Sequence, residues 1–287
     1  MAVPPLSHDI IVRAAQELPA TACVLEKLRK KLSEPESGVD DACALLKRDM
    51  ALCAQIIRVS NSALYSPEAA HASLEEAVGC LGFKEVYKIV GMVVARQLLE
   101  SDLGSYGYSA SLLWENTVAT ALAMESLAQF VGAQPRAAYT AGLMRSLGKT
   151  VLNRAAADLH PPTFDPASGQ NLLQWEQEQF GCESAAITTM VLRNWQFPEE
   201  ICEATEHHYH PETASAAGLM PVLLNIAGRI VSDLGLGLRG EDPFWAANPT
   251  KMAISGLTEA EVQLSAEETK LLLEECRQDL GAVQGRN

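Results

Sequence analysis

The amino-acid sequence predicts an all-α protein. Apolar residues recur at helical spacing almost throughout, as they do between Val24 and Leu32. Ser73 followed by Glu76 is a capping box, a pair of side chains that satisfies free backbone N–H groups where a helix begins. The sequence contains neither an alternating apolar–polar run flanked by hairpin turns nor a glycine-rich phosphate loop after a strand.

The predicted helices follow in order from their start and stop residues. Asp40 and Asp49 can cap two short helices, and Pro198 fits the first turn of another, where its missing N–H costs nothing. Thr258 and Ser265 open two further capping boxes near the C-terminus. The predicted helical segments are 21–32, 40–46, 49–60, 73–82, 85–99, 111–130, 136–156, 172–180, 184–195, 198–208, 220–234 and a C-terminal stretch that ends near residue 280.

One short polar segment predicts the division of the chain. Residues 101–109 contain glycine and lack an apolar stripe, which is typical of a junction. We therefore expect an N-terminal helical subdomain over residues 1–105 and a C-terminal helical subdomain over residues 106–287.

The charge of the chain limits its partners. The chain has 287 residues and a formal net charge of −14, so it repels phosphate backbones, and we expect no nucleic-acid partner. Lys27, Arg29, Lys30 and Lys31 cluster in one early helix. We interpret this basic cluster as a solvated helix face.

Cysteine usage and hydropathy favour the cytoplasm. The seven cysteines form no C-x-x-C pair and are scattered, which is typical of a reducing compartment. The N-terminus lacks the pattern of a signal peptide. The longest apolar stretch carries Asn225, Arg229 and Asp233, which predicts a buried helix and no membrane insertion.

One octamer carries the sharpest chemical signal. Residues 142–149, Gly-Leu-Met-Arg-Ser-Leu-Gly-Lys, resemble the G-L-L-H-D-I-G-K signature of HD-type metallohydrolases. Arg145 and Ser146 replace the His and Asp that would hold a metal. A guanidinium stays protonated and has no acceptor, so Arg145 cannot ligate a cation.

Further matches extend the resemblance along the chain. Asp49-Met50-Ala51-Leu52, residues 57–65, residues 77–82, Trp195-Gln196-Phe197-Pro198 and residues 207–211 follow in the order and spacing of the HDOD family. The chain resembles that family over about residues 15–235, so the two subdomains together form one HDOD-type domain with a helical C-terminal extension. The resemblance implies an architecture related to HD and HD-GYP phosphodiesterases, and a bacterial signalling role.

The resemblance also implies that most metal ligands are missing. Asn116, Ser184 and Gly228 stand where metal-binding HD relatives carry His, His and Asp, and only the pair His207 and His208 is kept. Adjacent residues of a helix point about 100° apart, so that pair cannot chelate an ion alone. We therefore expect no metal, no other cofactor and no catalytic residue.

The remaining residues suggest a binding groove. We take Arg145, His207, His208, Glu115 and Asn116 as its candidate lining. Arg145 could capture a phosphate or carboxylate, or it could form a buried ion pair with an acidic residue. The two acids considered for that pair are Glu115 and Glu183.

The histidines leave a similar choice open. His207, His208 and His210 lie beside Glu203 and Glu206. They are interpreted as remnants that hydrogen-bond within a polar groove, with a remodelled metal site or an anion or peptide site as the alternatives.

Three functions follow from these features. The leading hypothesis is a non-catalytic signalling module that binds a protein partner or a small anionic effector through the groove. The first alternative is a divergent metal-dependent phosphohydrolase that acts on a nucleotide. The second alternative is a structural adaptor.

Overall fold

The computed structural model describes residues 6–19, 21–61, 71–213 and 218–284. The part of the N-terminal family motif that runs through Ser62 to Tyr65 lies outside the described residues. The described chain is helical and contains no strand, apart from one isolated bridge between Leu103 and Tyr108. The all-α prediction is confirmed.

The α-helices are α1 (His8–Gln16), α2 (Ala22–Lys31), α3 (Val39–Leu46), α4 (Met50–Ser60), α5 (Leu74–Leu98), α6 (Ala110–Val131), α7 (Pro135–Met144), α8 (Leu147–Ala155), α9 (Leu172–Phe180), α10 (Ser184–Asn194), α11 (Glu199–His207), α12 (Leu219–Val231), α13 (Pro249–Ser255) and α14 (Glu259–Gln284). Short 3-10 turns occupy Pro166–Ser168, Pro211–Thr213 and Asp242–Trp245, and a π-helical turn occupies Ser232–Leu236.

Contacts divide the chain into two compact units. The first unit comprises Met1–Leu18 and Leu98–Leu273, and the second comprises Pro19–Gln97 and Glu274–Asn287. This division differs from the predicted one at residue 105. The reason is that α1 packs on α8 of the first unit, while the end of α14 is grouped with α2–α5.

The first unit is built around α6. Ser109 caps its N-terminus by accepting a hydrogen bond from the backbone N–H of Leu112, and Gly132 ends it in the left-handed conformation. Nearly every residue from Asn116 to Ala128 is buried. The many alanines of α6 let α7 and α12 approach closely, so α6 is the central helix of this unit.

The predicted helix over residues 136–156 is two helices. α7 ends at Met144 and α8 begins at Leu147, so Arg145 and Ser146 lie at the break between them. Both residues are buried, with 2% of their surface exposed. The break turns the Arg145 side chain into the interior of the unit.

The two glycines of the octamer are packing residues. A Cβ on Gly142 would lie 2.7 Å from the Cα of Ala121, and a Cβ on Gly148 would lie 1.9 Å from the carbonyl oxygen of Ser184. The backbone N–H of Gly148 also donates to Thr188 Oγ1 at 2.8 Å. These contacts hold α7 against α6 and α8 against α10.

The helices predicted over 73–82 and 85–99 both lie in α5, and the predicted break between them is present, because the backbone at Gly82 is non-helical with a φ of 74°. Two further differences from the predicted helices have local causes. The helix α1 was not predicted, and it is tied down by Leu6, whose N–H donates to the carbonyl of Phe180 at 3.1 Å. The helix start predicted at Ser265 is wrong, because Ser265 is buried inside α14.

The second unit begins its helices largely as predicted. Asp49 accepts from the backbone N–H of Leu52 at the start of α4. The capping box of Ser73 and Glu76 is present at the start of α5, with both reciprocal hydrogen bonds. The predicted cap at Asp40 is replaced by Gly38, whose N–H donates to the carboxylate of Asp41.

One segment among the described residues, Leu219–Leu236, is long and apolar enough to span a membrane by length and composition. Buried residues make up 56% of that segment, as in the core helix of a folded domain.

Replacing Gly148 by alanine should destabilise the protein strongly. The added methyl group would meet the backbone of α10, which cannot move away as a flexible side chain would. Overpacking of this kind costs about 1–3 kcal/mol or more, and denaturant unfolding followed by circular dichroism would measure it. Gly104→Ala, in the same unit and with nothing within 4 Å of the new Cβ, is the matched control and should be nearly neutral. Equal unfolding midpoints for the two variants would show that the Gly148 contact is dispensable.

Candidate functional site

Arg145 forms a buried ion pair in the first unit. Its Nη1 donates to Glu241 Oε2 at 2.8 Å, and both side chains are at most 1% exposed. Its Nη2 donates to Asn116 Oδ1 at 2.6 Å, and its guanidinium carbon lies 5.4 Å from the ring centre of Trp245. The positive charge is therefore paired, hydrogen-bonded and stacked at once.

Glu241 is the centre of this cluster. While Oε2 accepts from Arg145, Oε1 accepts from the hydroxyl of Tyr209 at 2.6 Å and lies 3.1 Å from Lys149 Nζ. Burial alone would raise the pKa of Glu241, but Arg145 and Lys149, together with the hydrogen bonds, lower that pKa to about 2. The carboxylate is thus ionised at neutral pH.

Lys149, the last residue of the octamer, supplies the second cation. Its side chain is 1% exposed. Its Nζ donates to the Tyr209 hydroxyl at 2.6 Å and to Ser184 Oγ at 3.2 Å. The same ammonium lies 5.1 Å from the ring centre of Tyr209 and 5.9 Å from that of Tyr106. A buried lysine is tolerated here because all its neighbours are acceptors or aromatic faces.

A second buried carboxyl group, Glu176, extends the polar network. It accepts from the Tyr106 hydroxyl at 2.9 Å and from the backbone N–H of Ser184 at 2.7 Å. Burial raises the pKa of Glu176, although Lys149 and these hydrogen bonds oppose the rise. Ser184 thus links the two carboxyl groups, because it also contacts Lys149.

His208 lies beside the cluster as a neutral side chain. It is 1% exposed, and its Nδ1 lies 2.8 Å from the carbonyl oxygen of Thr205. Its Nε2 is buried and, within the described part of the protein, has no hydrogen-bond partner. Burial, and the positive charges of Arg145 and Lys149, hold the pKa of His208 well below its ordinary value.

The other candidate residues are less buried. His207 and Glu115 are half-buried, whereas His208, Asn116 and Arg145 are interior. The structure therefore brings Arg145 and Asn116 into direct contact and places His208 in their electrostatic field. Arg145 pairs with Glu241 and with neither Glu115 nor Glu183, the two acids that the sequence suggested.

The acids and histidines considered for a remodelled metal site have other neighbours. Glu206 lies 3.1 Å from Arg193, and His210 Nδ1 lies 3.3 Å from Glu212. Within the described residues, no group of three or more His, Cys, Asp or Glu side chains is arranged to hold a metal ion.

Sequence reasoning missed five residues of the cluster: Lys149, Tyr209, Glu176, Trp245 and Glu241. Lys149 and Tyr209 lie inside motifs that had been singled out, so their positions carried a signal. Glu241 follows the region of family resemblance and lies outside every predicted helix. No apolar periodicity there indicates that an acidic residue is buried.

Comparisons with known proteins agree with this architecture. A family model for the HDOD domain matches residues 18–211. The chain belongs to the HDOD family. An HDOD domain protein of Geobacter sulfurreducens has the same fold, with a TM-score of 0.70, 20% identity and coverage of 95% of this chain and 97% of that one.

Two further solved structures share the HDOD fold. A Marinobacter aquaeolei VT8 protein, provisionally named a signal transduction protein, has a TM-score of 0.71 and 21% identity, and the match covers 96% of this chain and 64% of that one. A Shewanella amazonensis SB2B protein, provisionally named a phosphohydrolase, has a TM-score of 0.64 and 20% identity, with coverage of 93% and 97%.

A curated relative from Treponema pallidum (strain Nichols) is uncharacterised. It is 22% identical over 200 residues, which are 68% of this chain and 38% of that protein. The match therefore covers well under half of the length of that relative.

Breaking the buried pair from one side should be costly. Arg145→Met leaves the Glu241 carboxylate buried with Lys149 as its remaining cation. The removal of one partner of a buried ion pair lowers the free energy of unfolding by about 3–5 kcal/mol. The double variant Arg145→Met, Glu241→Gln should recover only part of that loss, because it removes the unpaired carboxylate but also takes from Lys149 its carboxylate partner at 3.1 Å. Urea unfolding of the single and double variants measures the coupling.

Arg193→Met is the control for the loss of an arginine. Arg193 pairs with Glu199 and Glu206 at the surface, with 49% of its side chain exposed. Its replacement should therefore lower the free energy of unfolding by at most about 1 kcal/mol. If Arg145→Met cost no more than Arg193→Met, the interior pair would not stabilise the unit.

His208 should make stability depend on pH below neutrality. Its pKa in the folded protein is depressed, so below about pH 6.5, the ordinary value, the unfolded chain binds a proton that the folded chain refuses. Stability is fully present above that pH and falls as the pH drops, with a slope that approaches about 1.4 kcal/mol per pH unit for one proton. Unfolding of wild type and His208→Gln between pH 7.5 and about pH 5 measures this component, which the variant should lose.

His8→Gln provides the control for that titration, since His8 is exposed and its replacement should leave the slope unchanged. Glu241 does not interfere, because its stabilisation is lost only as the pH falls from about 4.5 towards its pKa of about 2. Parallel pH–stability curves for wild type and His208→Gln would contradict the assignment of a buried neutral histidine.

Proposed function

We propose that the protein is a non-catalytic regulatory module of a bacterial signalling system that acts by binding a protein partner. The observation that carries the proposal is the buried pair of Arg145 and Glu241 at 2.8 Å. The guanidinium stands at the octamer position where HD metallohydrolases carry a metal ligand. A fixed positive charge there repels a divalent cation, and the carboxylate that could attract a metal is already neutralised.

The same pair argues for a protein partner over a small anion. An anionic effector would have to displace Glu241 from Arg145 and leave that carboxylate buried with fewer donors, at a cost of several kcal/mol. Cytoplasmic action, with no nucleic acid and no membrane insertion, is part of the proposal. The alternative is an anionic effector held by the predicted groove residues Arg145, Asn116, His208, His207 and Glu115, of which Arg145, Asn116 and His208 are buried.

The phosphohydrolase alternative requires metal. Untagged protein, purified without chelator and then supplied with Mn²⁺, should contain far less than one metal ion per chain by elemental analysis. It should also not hydrolyse bis(p-nitrophenyl) phosphate or cyclic nucleotides above the rate of buffer with Mn²⁺. The variant His207→Ala, His208→Ala, checked for folding by thermal melting, serves as the comparison for both measurements.

Two outcomes would overturn the non-catalytic reading. They are near-stoichiometric metal that the histidine variant loses, and turnover that the same variant abolishes. The variant Arg145→Ala, Glu241→Gln distinguishes the adaptor alternative from regulation. If the protein is a regulatory module, the variant should no longer change the activity of its partner. If the protein is an adaptor, the variant should still bind its partner.

A further inference from the structure

A groove in the second unit lies between α2 and α3. It has a volume of about 320 Å³. Lys27 and Lys30 line it from α2, Arg48 lines it from the segment after α3, and Ala44 and Leu45 supply apolar surface. Lys31, Glu34 and Asp41 complete the lining. Because both acids pair with Lys31, the groove still combines an excess of positive charge with a small apolar floor.

The basic cluster of α2 is only partly neutralised. Arg29 turns to Glu26, with hydrogen bonds of 2.7 and 2.9 Å, and Lys31 lies 2.8 Å from Glu34. Among the residues that the structure describes, Lys27 and Lys30 have no carboxylate within ion-pair distance, and their side chains are exposed. Lys27 and Lys30 therefore form a local positive patch on a chain whose net charge is −14.

An exposed face of α14 carries acidic side chains instead of basic ones. Leu264 and Leu271 are 54% and 59% exposed, although both are large and apolar. They are seven residues apart, two helical turns, and therefore share a face. Glu267 and Glu268 lie between them and are exposed, although one carboxylate oxygen of Glu268 accepts a hydrogen bond from the Ser126 hydroxyl at 2.6 Å. This face presents two leucines flanked by carboxylates.

We propose that the α2–α3 groove of one copy binds this α14 face of a second copy. Lys27 and Lys30 would meet Glu267 and Glu268, while the leucines would cover Ala44 and Leu45. A nucleic acid fits less well, because the net charge of the chain repels a long phosphate backbone. The two surfaces differ from each other, so the contact is head-to-tail and generates rings or open chains.

Reciprocal charge reversal tests this interface on the full chain. The groove variant is Lys27→Glu, Lys30→Glu, and the face variant is Glu267→Lys, Glu268→Lys. Sedimentation velocity over a range of concentrations, at about 0.15 M salt to screen long-range repulsion, should show self-association of the wild type. Each variant alone should associate at least about tenfold more weakly.

Mixing the two variants should restore association. The acidic groove of one then meets the basic face of the other, and the remaining wild-type groove and face also match. The variant Arg13→Glu, Arg96→Glu, at exposed positions in α1 and α5, changes the net charge as the groove variant does and should associate like the wild type. A wild type that stays monomeric, or a mixture that fails to associate, would overturn the proposal.

A second face variant covers the case in which a charge-reversed variant does not fold. Leu264→Ser, Leu271→Ser in the full chain removes two side chains that are 54% and 59% exposed, and it should associate at least about tenfold more weakly than the wild type because apolar burial is lost at the contact. Association equal to that of the wild type would also overturn the proposal.

Discussion

The buried guanidinium–carboxylate contact between Arg145 and Glu241 is the constraint on which the first unit depends. Two charges removed from water cost several kcal/mol each unless geometry and hydrogen bonds compensate them. Here both carboxylate oxygens are engaged, and the guanidinium also contacts Asn116 and Trp245. The unit must therefore hold α6, α8 and the segment around Glu241 in fixed register, because a shift of any one would leave a charge unpaired.

Within the octamer, the residues that pack the helices together are different from the residues at the expected ligand positions. Gly142 and Gly148 remain where a side chain would strike the backbone of a neighbouring helix, and these contacts serve the fold whether or not a metal is present. Arg145 and Ser146 occupy the break between α7 and α8, where ligands would be presented to the interior. The glycines can therefore keep the shape of the motif with residues other than His and Asp at positions 145 and 146.

The sequence predicted the helices of the first unit better than the site inside it. Capping residues and helical periodicity are local signals, so the boundaries of α6 and α9–α12 followed from neighbours in sequence. The partner of Arg145 did not, because Glu241 is distant in sequence and lies in an irregular segment. Similarly, Ser265 has the local pattern of a helix start, but packing against Ser126 places it inside α14.

Arg145 and Gly228, which stand at two positions where the resemblance places metal ligands, both pack against the ring of Trp245. Gly228 stands where the resemblance places a metal-binding Asp, and a Cβ there would lie 2.8 Å from the ring of Trp245. The glycine thus makes room for the indole, and the indole packs beside the guanidinium of Arg145. His and Asp placed at positions 145 and 146 would still have Glu241, Lys149 and Trp245 as neighbours. The packing around Arg145 therefore depends on residues well beyond the two that differ within the motif.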